Sequence, residues 1–305
     1  DDVESKLTLL GMVCMLDPLR EEVPAAMLAA HKAHIRVNII TGDFSLTAEA
    51  IAKKAGLSGK GEHLIVIPGE DLKTMTDTEV LNHVRLGGTI FSRVSPEDKL
   101  RIVEIVKQAG EIIAVTGDGI NDAPALKRAD IGVAMGITGT DVAKQSAEIV
   151  LLDDSFSTLV RSVQAGRTIF ANIRKGALSC FTSNSAELFT SVARGGALPR
   201  FGIPLPLGIM QLLATDLIAE LFPIAALGWD AAEGELMKEK PRNPKSHILN
   251  KRSITDLLWC GLVIGGLAFG NYLLFFSRAG LEVRNFNTAD PLYFKATTLT
   301  YITIV

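Results

Sequence analysis

The sequence is poor in the residues that mark several common protein classes. Cysteine occurs three times, at Cys14, Cys180 and Cys260. Far apart and without CxxC spacing, these supply neither a disulfide framework nor a zinc knuckle, and read as buried thiols acting as small hydrophobes. Neither sign of charge dominates: 31 Lys and Arg stand against 34 Asp and Glu, a formal net charge of −3. There is no electrostatic footprint for a nucleic acid, which excludes that partner. Charged residues make up 21% against 48% hydrophobic, with no internal repeat or low-complexity tract, so the chain is not a disordered one. A mean hydropathy of +0.28 is high for a wholly soluble protein, and part of the chain is expected in a lipid bilayer. Residue 1 is Asp, and no basic and apolar segment follows it. The residues from Tyr293 to Val305 stop inside an apolar run. The chain therefore reads as a piece of something longer, with 305 residues enough for two ordinary domains.

The texture changes near residue 165. Before it, short β-branched runs alternate with helix-period segments, the signature of a parallel sheet covered by helices. The expected strands are Leu7 to Val13, Ile35 to Ile40, His63 to Ile67, Thr89 to Val94, Ile112 to Thr116, Ile131 to Met135 and Ile149 to Leu152. After Val94 a helix is expected to about Gly110: Ser95 caps it, Pro96 suits its first turn, Asp98 sits at the third position, and Leu100, Val103, Ile105 and Val106 make an apolar stripe. Residues 1–165 thus form an α/β domain and residues 166–305 a transmembrane one, with spanning helices at about 168–198, 205–227, 254–277 and 292–305. Ile254 to Ser277 carries one charge, Asp256, and is about 36 Å long as a helix, enough to span a bilayer. Gly261 and Gly265, and again Gly266 and Gly270, have the spacing that admits a close helix neighbour, or else reflect the tolerance of glycine in lipid. The stretch from Gly228 to Ser253 holds Lys238, Lys240, Arg242, Lys245, Lys251 and Arg252, whereas Pro199 to Gly208 holds only Arg200. The basic loop is expected on the cytoplasmic side, with the α/β domain.

Chemistry gathers at strand ends, where open α/β sheets bind ligands. In order come Asp17-Pro18-Leu19-Arg20, Thr41-Gly42-Asp43, Lys99, and Thr116-Gly117-Asp118-Gly119-Ile120-Asn121-Asp122. The last is the most specific: two glycines allow a tight turn that presents Asp118 and Asp122 with Asn121 between them. Hard oxygen ligands suit Mg²⁺, and Mg²⁺ suits a phosphoryl group. One such motif alone equals a turn with an Asx cap; four in this order point to phosphate chemistry. Lys99, one turn into a capped helix, reaches a phosphate as a point charge, and Thr41 offers a hydroxyl and an amide. Arg20 and Arg93 gain a nucleotide role only from this company. In the second half, Ser183, Asn184 and Glu187 lie within about one turn, with Ser191 and Arg194 continuing the face. Asp216 and Glu220 are four apart on the next apolar segment, with Thr215 adjacent and Pro223 beyond. Acids inside a spanning helix cost about 2.5–3.5 kcal/mol each on insertion scales, so three of them across a hairpin point to a dehydrated cation site.

DPLR, ITGD, FSRVSPEDKLRIV and VTGDGINDAPALKRADIGVAMG resemble the phosphorylation domain of P-type cation pumps, a branch of the haloacid dehalogenase-like superfamily. The resemblance continues through TSNSAE, ELFPIAALG and KPRNPK, and so covers essentially the whole chain. It implies a Rossmannoid three-layer α/β domain followed by about four transmembrane helices, corresponding to the fifth to eighth of the family. It also implies ATP hydrolysis through an aspartyl phosphate, with ATP and Mg²⁺ as cofactors and a transported cation as partner. By the same resemblance Asp118 is the Mg²⁺ ligand, and Asn121 and Asp122 stand beside the phosphate. Thr41, Gly42 and Lys99 hold phosphoryl oxygens, while Asp17, Arg20, Asp43 and Arg93 serve the hinge and the nucleotide. Ser183, Asn184, Glu187, Asp216 and Glu220 fall where such pumps carry transport oxygens. Asp216, IPLPLG and KPRNPK resemble sodium/potassium and proton/potassium pumps. Calcium pumps more often have Asn where Asp216 sits and Thr-Asp where this chain has Ala219-Glu220. Arg194 either stands in for a counter-ion or snorkels to the interface; Gly195, Gly196 and Pro199 favour snorkelling.

The family's nucleophile lies in a DKTGT segment, and none occurs in these residues; nor does its TGE loop. By itself the chain is expected to be inert, completed by a missing N-terminal half and sitting in the plasma membrane, with any accessory subunit unspecified. Two alternatives stay open on the residues alone: a membrane-anchored phosphatase without transport, and a non-catalytic remnant. The residues upstream of Asp1 separate all three.

Overall fold

The computed structural model describes residues 8–13, 18–58, 64–197, 204–243, 246–280 and 290–305, without the side chains of residues 193–197. Contacts divide the chain into two units, residues 1–162 with 237–241, and residues 163–236 with 242–305.

In the first unit β1 (Ile39–Ile40), β2 (Ile65–Pro68) and β3 (Thr89–Ser92) form a parallel sheet in the order β1-β3-β2. A second parallel sheet takes the order β4-β5-β6, from β4 (Ala114–Gly117), β5 (Ile131–Met135) and β6 (Ile149–Leu151). All four residues of β3 are buried, as expected for a central strand, with Ile90 and Phe91 fully buried on opposite faces. Phe91 packs with Ile67, Leu72, Val80 and Ile102 under α3 (Gly69–Thr74), α4 (Asp77–Leu86) and α5 (Pro96–Gln108). Ile90 packs with Met27, Ala48, Ala52 and Leu57 under α1 (Val23–Lys32) and α2 (Ser45–Ala55). Helix α5 also serves the second sheet, through Val103 against Ala125 and Ala129 of the segment around α6 (Ala123–Arg128). Its start follows the sequence: the Ser95 hydroxyl accepts from the Asp98 N–H and the Asp98 carboxylate accepts from the Ser95 N–H, a complete capping box ahead of Pro96. It ends at Gln108 because Gly110 turns left-handed, φ 78°.

Three of the expected strands need correction. Thr8 to Val13 is not a strand: it pairs with nothing among the described residues, and Leu9, Leu10, Met12 and Val13 are exposed. An apolar run becomes a strand only where a neighbouring edge satisfies its backbone. The Ile35 start is also too early, since only Ile39 and Ile40 align with β3. The strand after Thr89 stops at Ser92 because Arg93 takes a left-handed conformation, φ 52°. Helix α7 (Asp141–Ser146), capped by Thr140, lies between β5 and β6.

That helix, α8 (Phe156–Ala197), begins well before residue 168 and crosses from the first unit into the second. Within the second unit follow α9 (Ile209–Ala214), one π-helical stretch Thr215–Glu220, α10 (Leu221–Gly228), α11 (Lys251–Arg278) and α12 (Pro291–Ile304). Ile209–Gly228 and Lys251–Arg278 are long and apolar enough to cross a membrane. Helix α8 carries Arg174, Lys175 and Glu187 within its apolar part, so composition alone does not single it out. Of the paired glycines on α11, Gly261 and Gly265 are the packing pair. A Cβ on Gly261 would collide with Ser185, and one on Gly265 would sit 2.5 Å from the Ala186 carbonyl oxygen, whereas Gly266 and Gly270 meet nothing within 4 Å. Thr190 of α8 donates to the Gly265 carbonyl at 3.2 Å, which such close approach permits.

Candidate functional site

The phosphate-binding candidates sit at the carboxyl ends of β1 and β4, each the edge strand of its sheet. After β4 the chain turns through Gly117 to Gly119 into a 3₁₀ turn, Ile120–Asp122, that leads into α6. Asp122 organises this turn. Its Oδ1 takes the Lys99 Nζ at 2.6 Å, and its Oδ2 accepts the N–H groups of Gly119 at 3.1 Å and Asp118 at 3.3 Å. Both side chains of the ion pair are largely buried. A Cβ on Gly117 would collide with the Asp122 side chain, so glycine is required there for the carboxylate to fold back. With its oxygens committed, Asp122 shapes the loop and positions Lys99. Asp118 is the opposite case: its carbonyl accepts from Thr140 N–H at 2.8 Å, while its exposed carboxylate makes no hydrogen bond among the described residues. A free hard-oxygen ligand is what Mg²⁺ takes, usually with one or two carboxylates and several waters. Asn121 is exposed beside it.

The Thr41 turn is built by backbone pairing. Thr41 N–H donates to Phe91 O at 2.9 Å, Val94 N–H to Thr41 O at 3.2 Å, and Arg93 N–H to Asp43 O at 3.1 Å. The Thr41 Oγ1 accepts from Asp43 N–H at 3.1 Å, and Gly42 and Asp43 are exposed. Arg93 lies with its guanidinium 4.6 Å from the Phe44 ring centroid. Arg20 donates to the Asp153 carbonyl at 3.0 Å, just ahead of α8, and Asp17 lies outside the described residues. The structure therefore joins Lys99 to Asp122, and Asp43 to Arg93. No hydrogen bond joins the Thr41 turn to the Asp118 loop among the described residues.

In the second unit Glu187 of α8 and Glu220 of the π-helical stretch are buried, and one carboxylate oxygen of each, Oε1, has no hydrogen-bond partner among the described residues. Thr215, also buried, contacts Glu187, whose carboxylate lies within electrostatic reach of Asp216 and Glu220. Asp216 itself is exposed, as is Asn184, while Ser183 is half-buried and bonds back to the Ser179 carbonyl at 3.4 Å. The side chain of Arg194 lies outside the described residues.

Cys180, expected as a buried thiol, lies differently. It is only half-buried, and its Sγ accepts from Asn184 Nδ2 at 3.5 Å, within reach of Glu220. Its spacing of i−4 from Asn184 and i−7 from Glu187 was the available signal. Cys260 is exposed, so neither described thiol is a buried core group, and Cys14 lies outside the described residues.

Residues 1–130 match the family described as haloacid dehalogenase-like hydrolase, and residues 204–305 match the C-terminus of cation-transporting ATPases. The chain is 40% identical over 277 residues to the sodium/potassium-transporting ATPase subunit alpha-2 of Bos taurus, covering 82% of this chain and 26% of that protein. The alpha-3 subunit of Gallus gallus is 40% identical over 285 residues, 84% of this chain and 28% of that one. Calcium-transporting ATPase 1 of Bacillus cereus is 41% identical over 271 residues, 87% and 29% respectively. The chain thus spans between a quarter and a third of the length of the curated relatives it matches. With a haloacid dehalogenase-like hydrolase match followed by a cation-transporting ATPase C-terminus match in one order, and transporting ATPases 40–41% identical over most of the chain, the chain belongs to the P-type cation-transporting ATPases.

Proposed function

We propose that the chain is the C-terminal part of an ATP-driven cation pump, in which a phosphorylated aspartate outside these residues is made and hydrolysed in step with ion transport. The observation that carries this reading is the pair of buried carboxylate oxygens, Glu187 Oε1 and Glu220 Oε1, without hydrogen-bond partners on segments read as crossing a bilayer. Such groups are costly unless a cation, a proton or a bound water meets them. Ser183, Asn184 and Asp216 would complete the oxygen set. The π-helical stretch at Thr215–Glu220 supports the same reading, because such bulges leave carbonyls without their usual partners and concentrate at functional sites.

On the phosphate side, Asp118 would hold Mg²⁺, which when bound neutralises charge on the transferred phosphoryl group. Lys99, fixed by Asp122, presents its ammonium to a phosphoryl oxygen. Thr41 and Gly42 offer a hydroxyl and an amide to the others, and Asp17, Arg20, Asp43 and Arg93 serve the nucleotide and the hinge. Asn121 stands next to Asp118 as a neutral donor. The attacking carboxylate must enter in line with the γ-phosphate. The open edges of β1 and β4, whose ends carry the Thr41 turn and the Asp118 loop, suit a further parallel strand that brings it. We place the first unit in the cytoplasm and the protein in the plasma membrane, with the basic loop 238–252 supporting that orientation.

The resemblance of Asp216 favours a monovalent cation, Na⁺ or K⁺, with Ca²⁺ next. ATPase activity of the full-length protein, measured with Na⁺, K⁺, Ca²⁺ and protons in turn, tests the reading. Stimulation by a monovalent cation is expected, stimulation by Ca²⁺ alone would reassign the ion, and no stimulation by any would overturn transport.

A further inference from the structure

We propose that Phe44 is a positioning residue for the nucleotide, holding the Arg93 guanidinium in place beside the Thr41 turn before ATP arrives. The inference rests on the pump reading and adds to it a residue that carries no reactive group. Phe44 is the N-cap residue of α2, where Ser, Thr, Asp or Asn would bond the helix's free amides; it makes no such bond. The residue instead stands 66% exposed, a placement that neither the helix cap nor the core explains. The contact it makes is with Arg93, whose guanidinium carbon lies 4.6 Å from the ring centroid, inside the ~6 Å range of a cation–π contact.

The backbone beneath Arg93 is fixed from two sides. Its N–H donates to Asp43 O at 3.1 Å, and its carbonyl lies so close to Gly69 that a Cβ there would collide with it. Arg93 is held at φ 52°, a conformation that non-glycine residues adopt rarely and that clusters at ligand sites. With the main chain set, the remaining freedom is in the long side chain, and the Phe44 ring removes much of it. An arginine stacked in advance loses less rotamer freedom on meeting an anionic ligand. The Phe44 face thus acts on ATP binding through Arg93 and leaves the Thr41 and Asp118 groups as they are.

The test uses the full-length protein and compares phosphorylation by ATP with phosphorylation by inorganic phosphate in Mg²⁺. Phe44→Ala is expected to raise the ATP concentration for half-maximal phosphoenzyme about two- to five-fold, with the inorganic phosphate dependence unchanged. Phe44→Tyr and Phe44→Trp restore the parent value, and Phe44→Leu, which keeps apolar bulk without a π face, does not. An unchanged ATP dependence in Phe44→Ala, an equal shift with inorganic phosphate, or full restoration by Leu would overturn the role of Phe44 alone. An unsubstituted protein that forms phosphoenzyme from neither donor would overturn the pump reading, and this inference with it.

Discussion

Asp118 and Asp122 are four residues apart and chemically identical, yet their surroundings give them different work. Asp122 is saturated by Lys99 and two backbone amides, whereas the Asp118 carboxylate is left open. Asp118→Ala is therefore expected to abolish Mg²⁺-dependent phosphoenzyme in the full-length protein with the fold retained; normal phosphoenzyme would refute the metal assignment. A third aspartate matters for stability. The Ile137 N–H, followed by the Thr138 N–H and hydroxyl, holds the Asp154 carboxyl down to about 2. Because the folded value lies below the ordinary ~4 of an unfolded chain, this contribution is full above that pH and is lost as pH falls toward 2. Denaturant midpoints should drop across that window, and Asp154→Asn should be less stable at neutral pH and flatter below pH ~4. Equal pH slopes in the two proteins would contradict this. TGDGIND stood out in the sequence because it compresses a tight turn and two acidic side chains into one segment. The residue types alone did not separate the two aspartates, which only the family resemblance assigned apart; in the structure the difference lies in which one Lys99 reaches.

At the level of elements, the legible parts were those with a local cause. The capping box at Ser95 and Asp98 fixed the start of α5, and β5 occupies Ile131 to Met135 as read from its pattern. Thr8 to Val13 failed because strand formation depends on a partner that the pattern cannot reveal. The π-helical stretch was also invisible in composition. Pro223 supplies its cause: lacking an N–H and crowding the carbonyl four residues back, it prevents regular pairing at Ala219, inside Thr215–Glu220. The glycines of α11 were ambiguous by spacing and distinct in structure. Gly265→Leu is expected to cost about 1–3 kcal/mol through overpacking against Ala186 and Phe189. Gly266→Ala, facing open space, should be neutral or slightly stabilising. Unfolding in mixed detergent measures both, and equal losses at the two positions would refute the packing assignment.

For the whole molecule, a change of texture was legible near residue 165, while contacts divide the chain between Ser162 and Val163. The return of residues 237–241 to the first unit was not, because a loop's destination leaves no periodic trace. The ion is not written in the sequence either: a carboxylate cage binds several cations, and selectivity lies in its dimensions and dehydration. Pumping requires that the acids of the helical unit govern chemistry in the α/β unit. The most direct measurement is phosphoenzyme formation from ATP by the full-length protein as a function of activating cation concentration, for the parent and for Glu187→Ala, Asp216→Ala and Glu220→Ala. The account expects higher cation concentrations for half-maximal phosphorylation in the variants, with phosphorylation from inorganic phosphate still possible. Identical cation dependence in the parent and all three variants would contradict it.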